Sequence, residues 1–211
     1  KIGEITKGNA VKVTDVGQHQ MWAAQFFKYI HPRTHITSGG LGTMGFSLPA
    51  AMGAAFARND LPIISVSGDG GIQMNIQEIA TCVENKVPVK IFILNNGYLG
   101  MVRQWQELFW RKRYSQVAMF SPDFVKLADA YGCPGFRAST TDEVEDVIKS
   151  ALAVKDGPVI AEFKVVQEDN VYPMIPAGQT WNEIMDFPEE ELSNVAGEDL
   201  ESEELITLTK G

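Results

Sequence analysis

Residues 63–100, IISVSGDGGIQMNIQEIATCVENKVPVKIFILNNGYLG, constrain the fold more than any other stretch of the chain. Two apolar runs, 63–66 and 89–94, each end in a polar cluster: Gly68-Asp69-Gly70-Gly71 after the first, Asn95-Asn96-Gly97 after the second. Between them Ile76, Ile79, Ala80 and Val83 fall at i, i+3, i+4, i+7, the spacing of one helix face. Strand, helix, strand over this length is a βαβ unit, and its right-handed crossover makes the two strands parallel. Both polar clusters then lie at the carboxyl ends of adjacent strands, the edge where open α/β sheets place ligands. A carboxylate beside a carboxamide oxygen, among glycines that open the backbone, suits a hard cation that holds phosphates.

The rest of the chain repeats the pattern. Apolar segments at 11–16, 35–37, 136–139 and 158–165 read as strands. Helical segments are expected at 20–30, 46–58, 123–131 and 141–154, with Pro49 in the first turn of the second. Ser121 is the expected cap of the third, ahead of Pro122 at its first position. The fold class is therefore α/β: a three-layer domain, mostly parallel sheet, helices on both faces. The small-residue helix at 46–58 and the aromatic helix after Gln20 are expected to meet other domains or subunits. Residues 166–188, with Pro173, Pro176 and Pro188, read as irregular.

Charge divides the chain at residue 188. Of the net −9, residues 189–211 carry −7, from eight acids against Lys210. The organisation expected is a body at 1–188 and an acidic tail at 189–211, a solvated terminus by composition. A near-neutral body is no nucleic-acid surface, although Arg103, Trp105 and Trp110–Arg113 interleave basic and aromatic residues; a loop closing over a pocket explains these better. No run of about 18 apolar residues exists to span a membrane. Cys82 and Cys133 make neither a disulfide framework nor a zinc spacing, and Cys82 reads as a buried thiol. The chain starts at Lys1 without a Met, and a piece of a longer polypeptide is expected.

Three further constellations have a bland reading beside the functional one. Asp69 could cap a helix and Asn96 fill a turn. The string Gly40-Leu41-Gly42-Thr43-Met44-Gly45 matches a dinucleotide fingerprint, or is a tight turn feeding a close-packed helix. Gln18-His19 follows the first strand and lies on the same edge, where His19 is either structural or a phosphate donor.

Longer strings carry a family resemblance. Gly68-Asp69-Gly70 followed by Asn95-Asn96 resembles the thiamine diphosphate-binding motif. DVGQHQMWAAQ (15–25), GGLGTMGFSLPAA (39–51), NNGYLGMVRQWQELF (95–109) and VYPMIPAG (171–178) are similar to the catalytic large subunit of acetohydroxyacid (acetolactate) synthases. The resemblance covers 1–188 and only the last of three family domains. Ile72 departs from the pattern, standing where an aromatic is common.

The resemblance implies that Asp69, Asn96 and the Tyr98 carbonyl hold Mg²⁺. Gly70, Gly71, Leu99 and Gly100, with Gln18 and His19, would cradle the diphosphate. Met44 would hold the bend between the cofactor rings, the Gly42 carbonyl would accept from the exocyclic amino group, and Met101 and Trp105 would line a second-substrate pocket. It implies decarboxylation of pyruvate and condensation with a second 2-ketoacid, giving acetolactate or acetohydroxybutyrate for branched-chain amino-acid synthesis. It places FAD and an activating glutamate outside this chain, the glutamate on a partner subunit's pyrimidine-binding domain. A homo-oligomer with a regulatory subunit follows, as does an inactive isolated fragment. The compartment would be cytoplasmic in a bacterium, plastid or mitochondrion in a eukaryote. A related 2-ketoacid decarboxylase or oxidase and a non-catalytic nucleotide-binding module are the competing readings.

Overall fold

The computed structural model describes residues 1–188. The expected acidic tail, 189–211, lies outside them. The described residues form two units, Lys1–Asn170 and a second that begins at Val171.

The first unit is a six-stranded sheet, every pair parallel, in the order β2-β1-β3-β4-β6-β5. The strands are β1 (Val11–Thr14), β2 (His35–Thr37), β3 (Ile63–Gly68), β4 (Val89–Asn95), β5 (Gly135–Ala138) and β6 (Val159–Lys164). The sequence dictates the central position of β3 and β4: IISVS and VKIFI bury both faces, as a parallel strand covered on both sides must. Alternate residues feed two cores. Val89, Ile91 and Ile93 pack with α3 (Ser47–Ala57), α5 (Glu78–Glu84) and α7 (Phe124–Tyr131) on one face. Phe92 and Phe163 pack with α1 (Ile2–Thr6) and α8 (Thr141–Ala153) on the other. The expected three-layer α/β architecture is present.

Local chemistry sets the boundaries. The helix expected at 123–131 starts at Phe124, and its cap is Asp123, whose carboxylate accepts from the N–H groups of Val125 and Lys126. Ser121 is not the cap; its hydroxyl is bonded to Asp69. In Ser-Pro-Asp either polar residue can cap, and Asp123 wins because Arg137 anchors its carboxylate. Between β3 and β4 the expected single helix is two pieces, α4 (Asp69–Ile72) and α5, joined by a turn through Asn75 and Gln77. Helix α8 starts on a reciprocal Thr140–Glu143 capping box. Small residues let α3 pack closely, with Leu48, Ala51 and Ala54 buried on β1 and β3. Truncating Leu48 to Ala there costs about 2–5 kcal/mol.

In the second unit Met174 and Met185 exchange backbone hydrogen bonds of 2.9 and 2.7 Å. They frame a short 3₁₀ turn, Trp181–Glu183, capped by Thr180 and Glu183.

Candidate functional site

Chain direction reverses between β1 and β3: from β1 the chain moves outward to β2, then returns to form β3 on the other side. The carboxyl edge at this switch opens a cavity of about 320 Å³. Its walls come from five strand ends: Val16–Trp22 after β1, Gly42 and Met44 after β2, Gly68–Gly71 after β3, Leu94, Asn96 and 98–102 at β4, and Val165 after β6.

Each expected diphosphate, ring or metal residue lines this cavity: Gln18, His19, Gly42, Met44, Asp69, Gly70, Gly71, Asn96, Tyr98, Leu99, Gly100 and Met101. Trp105 does not. It lies one helical turn beyond Met101 on α6 (Gly100–Phe109), half-exposed, with its ring edge-on to Phe109. The stretch expected as a closing loop is thus helix first. Residues beyond it turn back, so that Leu99 N–H donates to Val117 O and Met119 N–H to Gly97 O, both at 2.8 Å.

Asp69 is 1% exposed. Burial holds its carboxyl above the usual range, opposed by the Ser121 hydroxyl, which donates to Oδ2 at 2.6 Å. Asn95 and Asn96 each close an Asx turn: Asn95 Oδ1 accepts from Gly97 N–H at 3.1 Å, Asn96 Oδ1 from Tyr98 N–H at 3.0 Å. Among the described residues no Lys or Arg lines the cavity, and no group of three His, Cys, Asp or Glu converges anywhere. An anion entering here needs a cation brought with it. One carboxylate, one carboxamide and a carbonyl leave coordination positions for phosphate oxygens and water, the donor set that fits Mg²⁺. The glycines keep the cradle open: a Cβ on Gly71 would collide with Asp15, and one on Gly100 with Gln18.

His19 is buried, and its Nε2 accepts from Gly68 N–H at 3.2 Å. The ring is held neutral, its pKa brought down to about 4 by burial against the opposing pull of the Asp15 carboxylate. The accepted bond fixes the proton on Nδ1, leaving that nitrogen a donor. Gly17 before it has φ 145°, open only to glycine. Gln18 differs from the expected phosphate donor. Its Nε2 donates to Gln104 Oε1 at 2.9 Å and to Asp169 O at 2.7 Å, so both amide protons are used inside the protein.

The G-x-G-x-x-G turn has an occupant already. Asp15, fully buried, accepts from Val16 and Gly45 N–H through Oδ1 and from Ser47 N–H through Oδ2. The start of α3, which would receive a dinucleotide pyrophosphate, is filled by the protein's own carboxylate. The motif is the tight turn of the bland reading.

Sequence reasoning gave no role at the site to Asp15, Gln104 or Glu162, and it named Asn95 and Ser121 without the bonds they make there. One signal was available: Glu162 is a charge within the apolar strand 158–165. It is fully buried and bonded to Asn95, Arg137 and Lys164. Although burial opposes it, these partners hold its carboxyl below the usual range.

The family of thiamine pyrophosphate enzymes, C-terminal TPP-binding domain, matches residues 15–163. Relatives include the acetolactate synthase of Mycobacterium leprae, 51% identical over 189 residues, 87% of this chain and 30% of that protein. The acetolactate synthase isozyme 2 large subunit of Escherichia coli is 45% identical over 84% of this chain and 32% of its own length. The mitochondrial acetolactate synthase catalytic subunit of Saccharomyces cerevisiae is 43% identical over 90% of this chain and 28% of its own. The chain spans about a third of the length of the curated relatives it matches. A six-stranded parallel sheet with a cavity at its switch point, together with a match over most of the chain, establishes that the chain belongs to the thiamine pyrophosphate enzymes, as their C-terminal TPP-binding domain.

Proposed function

We propose that this chain is the diphosphate-binding part of an acetolactate synthase, joining pyruvate to a second 2-ketoacid in branched-chain amino-acid synthesis. The observation that carries the reading is that Asp69 and Asn96 line one cavity that, among the described residues, no Lys or Arg lines. The names of the relatives support the choice of reaction.

In this reading Asp69, Asn96 and the Tyr98 carbonyl hold Mg²⁺, which neutralises the diphosphate. Backbone N–H groups of Gly70, Gly71, Leu99 and Gly100 and the Nδ1–H of His19 bind phosphate oxygens. Gln18 contributes by tying α2 (Gln18–Phe26) to α6 and to Asp169, its donors already committed. Gly42 and Met44 receive the ring end. Thiamine diphosphate, when bound, supplies the electron sink that decarboxylation of a 2-ketoacid needs. Met101 faces the substrate. Trp105, at i+4 on the same helix face, comes second, and one methylene of discrimination there is worth about 1–3 kcal/mol. The glutamate that activates the cofactor belongs to a partner subunit's pyrimidine-binding domain, and FAD to a middle domain. A homo-oligomer with a small regulatory subunit completes the assembly, which is cytoplasmic in a bacterium. No helix among the described residues is long and apolar enough to cross a membrane.

Thiamine diphosphate titrated into the whole protein with and without Mg²⁺ tests the cofactor assignment. Binding should need the metal and weaken by at least about 10–100-fold in Asp69→Ala, since even outer-shell partners of a metal are worth that much. Unchanged metal-dependent affinity in the variant would sink the assignment. Acetaldehyde or acetyl phosphate from pyruvate, in place of acetolactate, would replace the carboligase by a decarboxylase or oxidase.

A further inference from the structure

The β3–β4 ladder ends at the pair Gly68–Leu94. Asp69 and Asn96 both lie beyond it, so strand pairing does not fix one against the other. A backbone hydrogen bond from Gly97 to the Asp69 carboxylate joins the two strand ends directly, and a run of polar contacts, bridged by the chain between Ser121 and Asp123, holds each from outside. On one side Ser121 Oγ donates to Asp69 Oδ2 at 2.6 Å. Two residues on, Asp123 accepts from Arg137 Nη2 at 2.6 Å while capping α7. Arg137 Nε donates to Glu162 Oε2, also at 2.6 Å. Glu162 Oε1 accepts from Asn95 Nδ2 at 2.7 Å. The Asn95 amide is thereby oriented so that its own oxygen receives Gly97 N–H, and the turn carrying Asn96 is set.

We propose that Ser121, Arg137 and Glu162 are positioning residues that lock the spacing of Asp69 and Asn96 to the small octahedral shell of Mg²⁺. This rests on the magnesium–diphosphate reading of the cavity. The chemistry argues for a lock over a plain structural ion pair. Glu162 is fully buried, and Asn95, on which it acts, is adjacent to a candidate ligand. Ser121 contacts the other candidate ligand directly, on the carboxylate oxygen Oδ2, and so sets which oxygen is turned to the cavity. Mg²⁺ demands near-ideal geometry at about 2.0–2.1 Å, whereas Ca²⁺ tolerates irregular shells at about 2.3–2.6 Å. A loosened pair of ligands therefore loses Mg²⁺ and keeps Ca²⁺.

Equilibrium dialysis of thiamine diphosphate against the whole protein, at graded Mg²⁺ and separately at graded Ca²⁺, reads this out without turnover. Ser121→Ala and Arg137→Met should raise the Mg²⁺ half-saturation point about tenfold, as expected for outer-shell partners. The Ca²⁺ value should move less than about threefold, because its shell is adaptable. Ser121→Ala removes one hydroxyl from a loop and keeps the test available if Arg137→Met does not fold. Equal losses for both ions would overturn the proposal in favour of general softening. An unchanged Mg²⁺ response in Ser121→Ala, with the response of Asp69→Ala abolished, would overturn the lock and leave the cofactor reading standing. An unchanged Asp69→Ala would remove both.

Discussion

Gln18 and Gln104, 86 positions apart in sequence, are joined by a 2.9 Å hydrogen bond from Gln18 Nε2 to Gln104 Oε1. It ties the first turn of α2 to the middle of α6, and both residues are buried. Replacing Gln104 by Ala leaves a buried donor without its acceptor. The expected loss of stability is about 1–3 kcal/mol. Urea unfolding followed by circular dichroism measures it, and a midpoint equal to wild type would show that water takes over the bond.

Asp15 serves three backbone donors at once, on Val16, Gly45 and Ser47. Asp15→Ala should destabilise the domain by about 2–4 kcal/mol, more than a single lost bond, because three N–H groups are stranded and charge-assisted bonds are stronger. Asp15→Asn should recover part of this. A nicotinamide dinucleotide should not stabilise either protein against heat; a clear rise in Tm with one would reopen the dinucleotide reading.

Lys12 is fully buried on β1, its Nζ 3.7 Å from the centre of the Phe27 ring. Burial lowers the amine from 10.5 to about 8. Between those values the unfolded chain takes up a proton that the folded chain refuses, so stability falls as pH falls through that window and stays at the lower level below pH 8. Lys12→Met should lack this slope and gain about 1–3 kcal/mol at pH 7. Lys90, also lowered to about 8, has the same sign. The difference between wild-type and variant unfolding curves from pH 7 to 10.5 isolates Lys12; a flat difference refutes the assignment.

Burial pushes the thiols of Cys82 and Cys133 up to about 12 and about 11. At pH 8 neither should react with a disulfide reagent in the folded chain, since the thiolate is the nucleophile and both sulfurs are buried. Both should react in urea. Rapid labelling of folded protein would place at least one of them in an open, fluctuating region.

Apolar runs ending in polar clusters make the parallel sheet and its ligand edge legible in the sequence. Strand residues such as Ile91 and Phe92 alternate between two cores, and only a doubly covered strand is written that way. Of the cavity lining, Asp69 and Asn96 were legible because two Asx residues fall at the ends of adjacent strands, whereas Gly42, Met44, Leu99 and Met101 followed only from the family resemblance. Polar side chains whose partners are distant in sequence were not legible. Nothing local distinguishes Ser121 from Asp123 as a cap; the choice depends on Arg137 and Asp69, 14 residues after and 52 before the residues they bind. Gln18 read as a donor to phosphate because no sequence pattern discloses that Gln104 and the Asp169 carbonyl take both its protons. Asp15 was hidden by a glycine motif that its carboxylate completes.

The outermost strands of the sheet, β2 and β5, are three and four residues long. Each therefore offers a foreign chain only one or two free ladder contacts along its outer side, and β5 carries the charged Arg137 as well. Strand-on-strand association between copies starts from long, flat, uncharged edges. The long apolar strands β3 and β4, the segments most able to stack with copies of themselves, are enclosed on either side by neighbours. Strand order thus guards against edge-to-edge stacking: the most apolar strands are sheltered at the centre, and the edges are too brief to recruit.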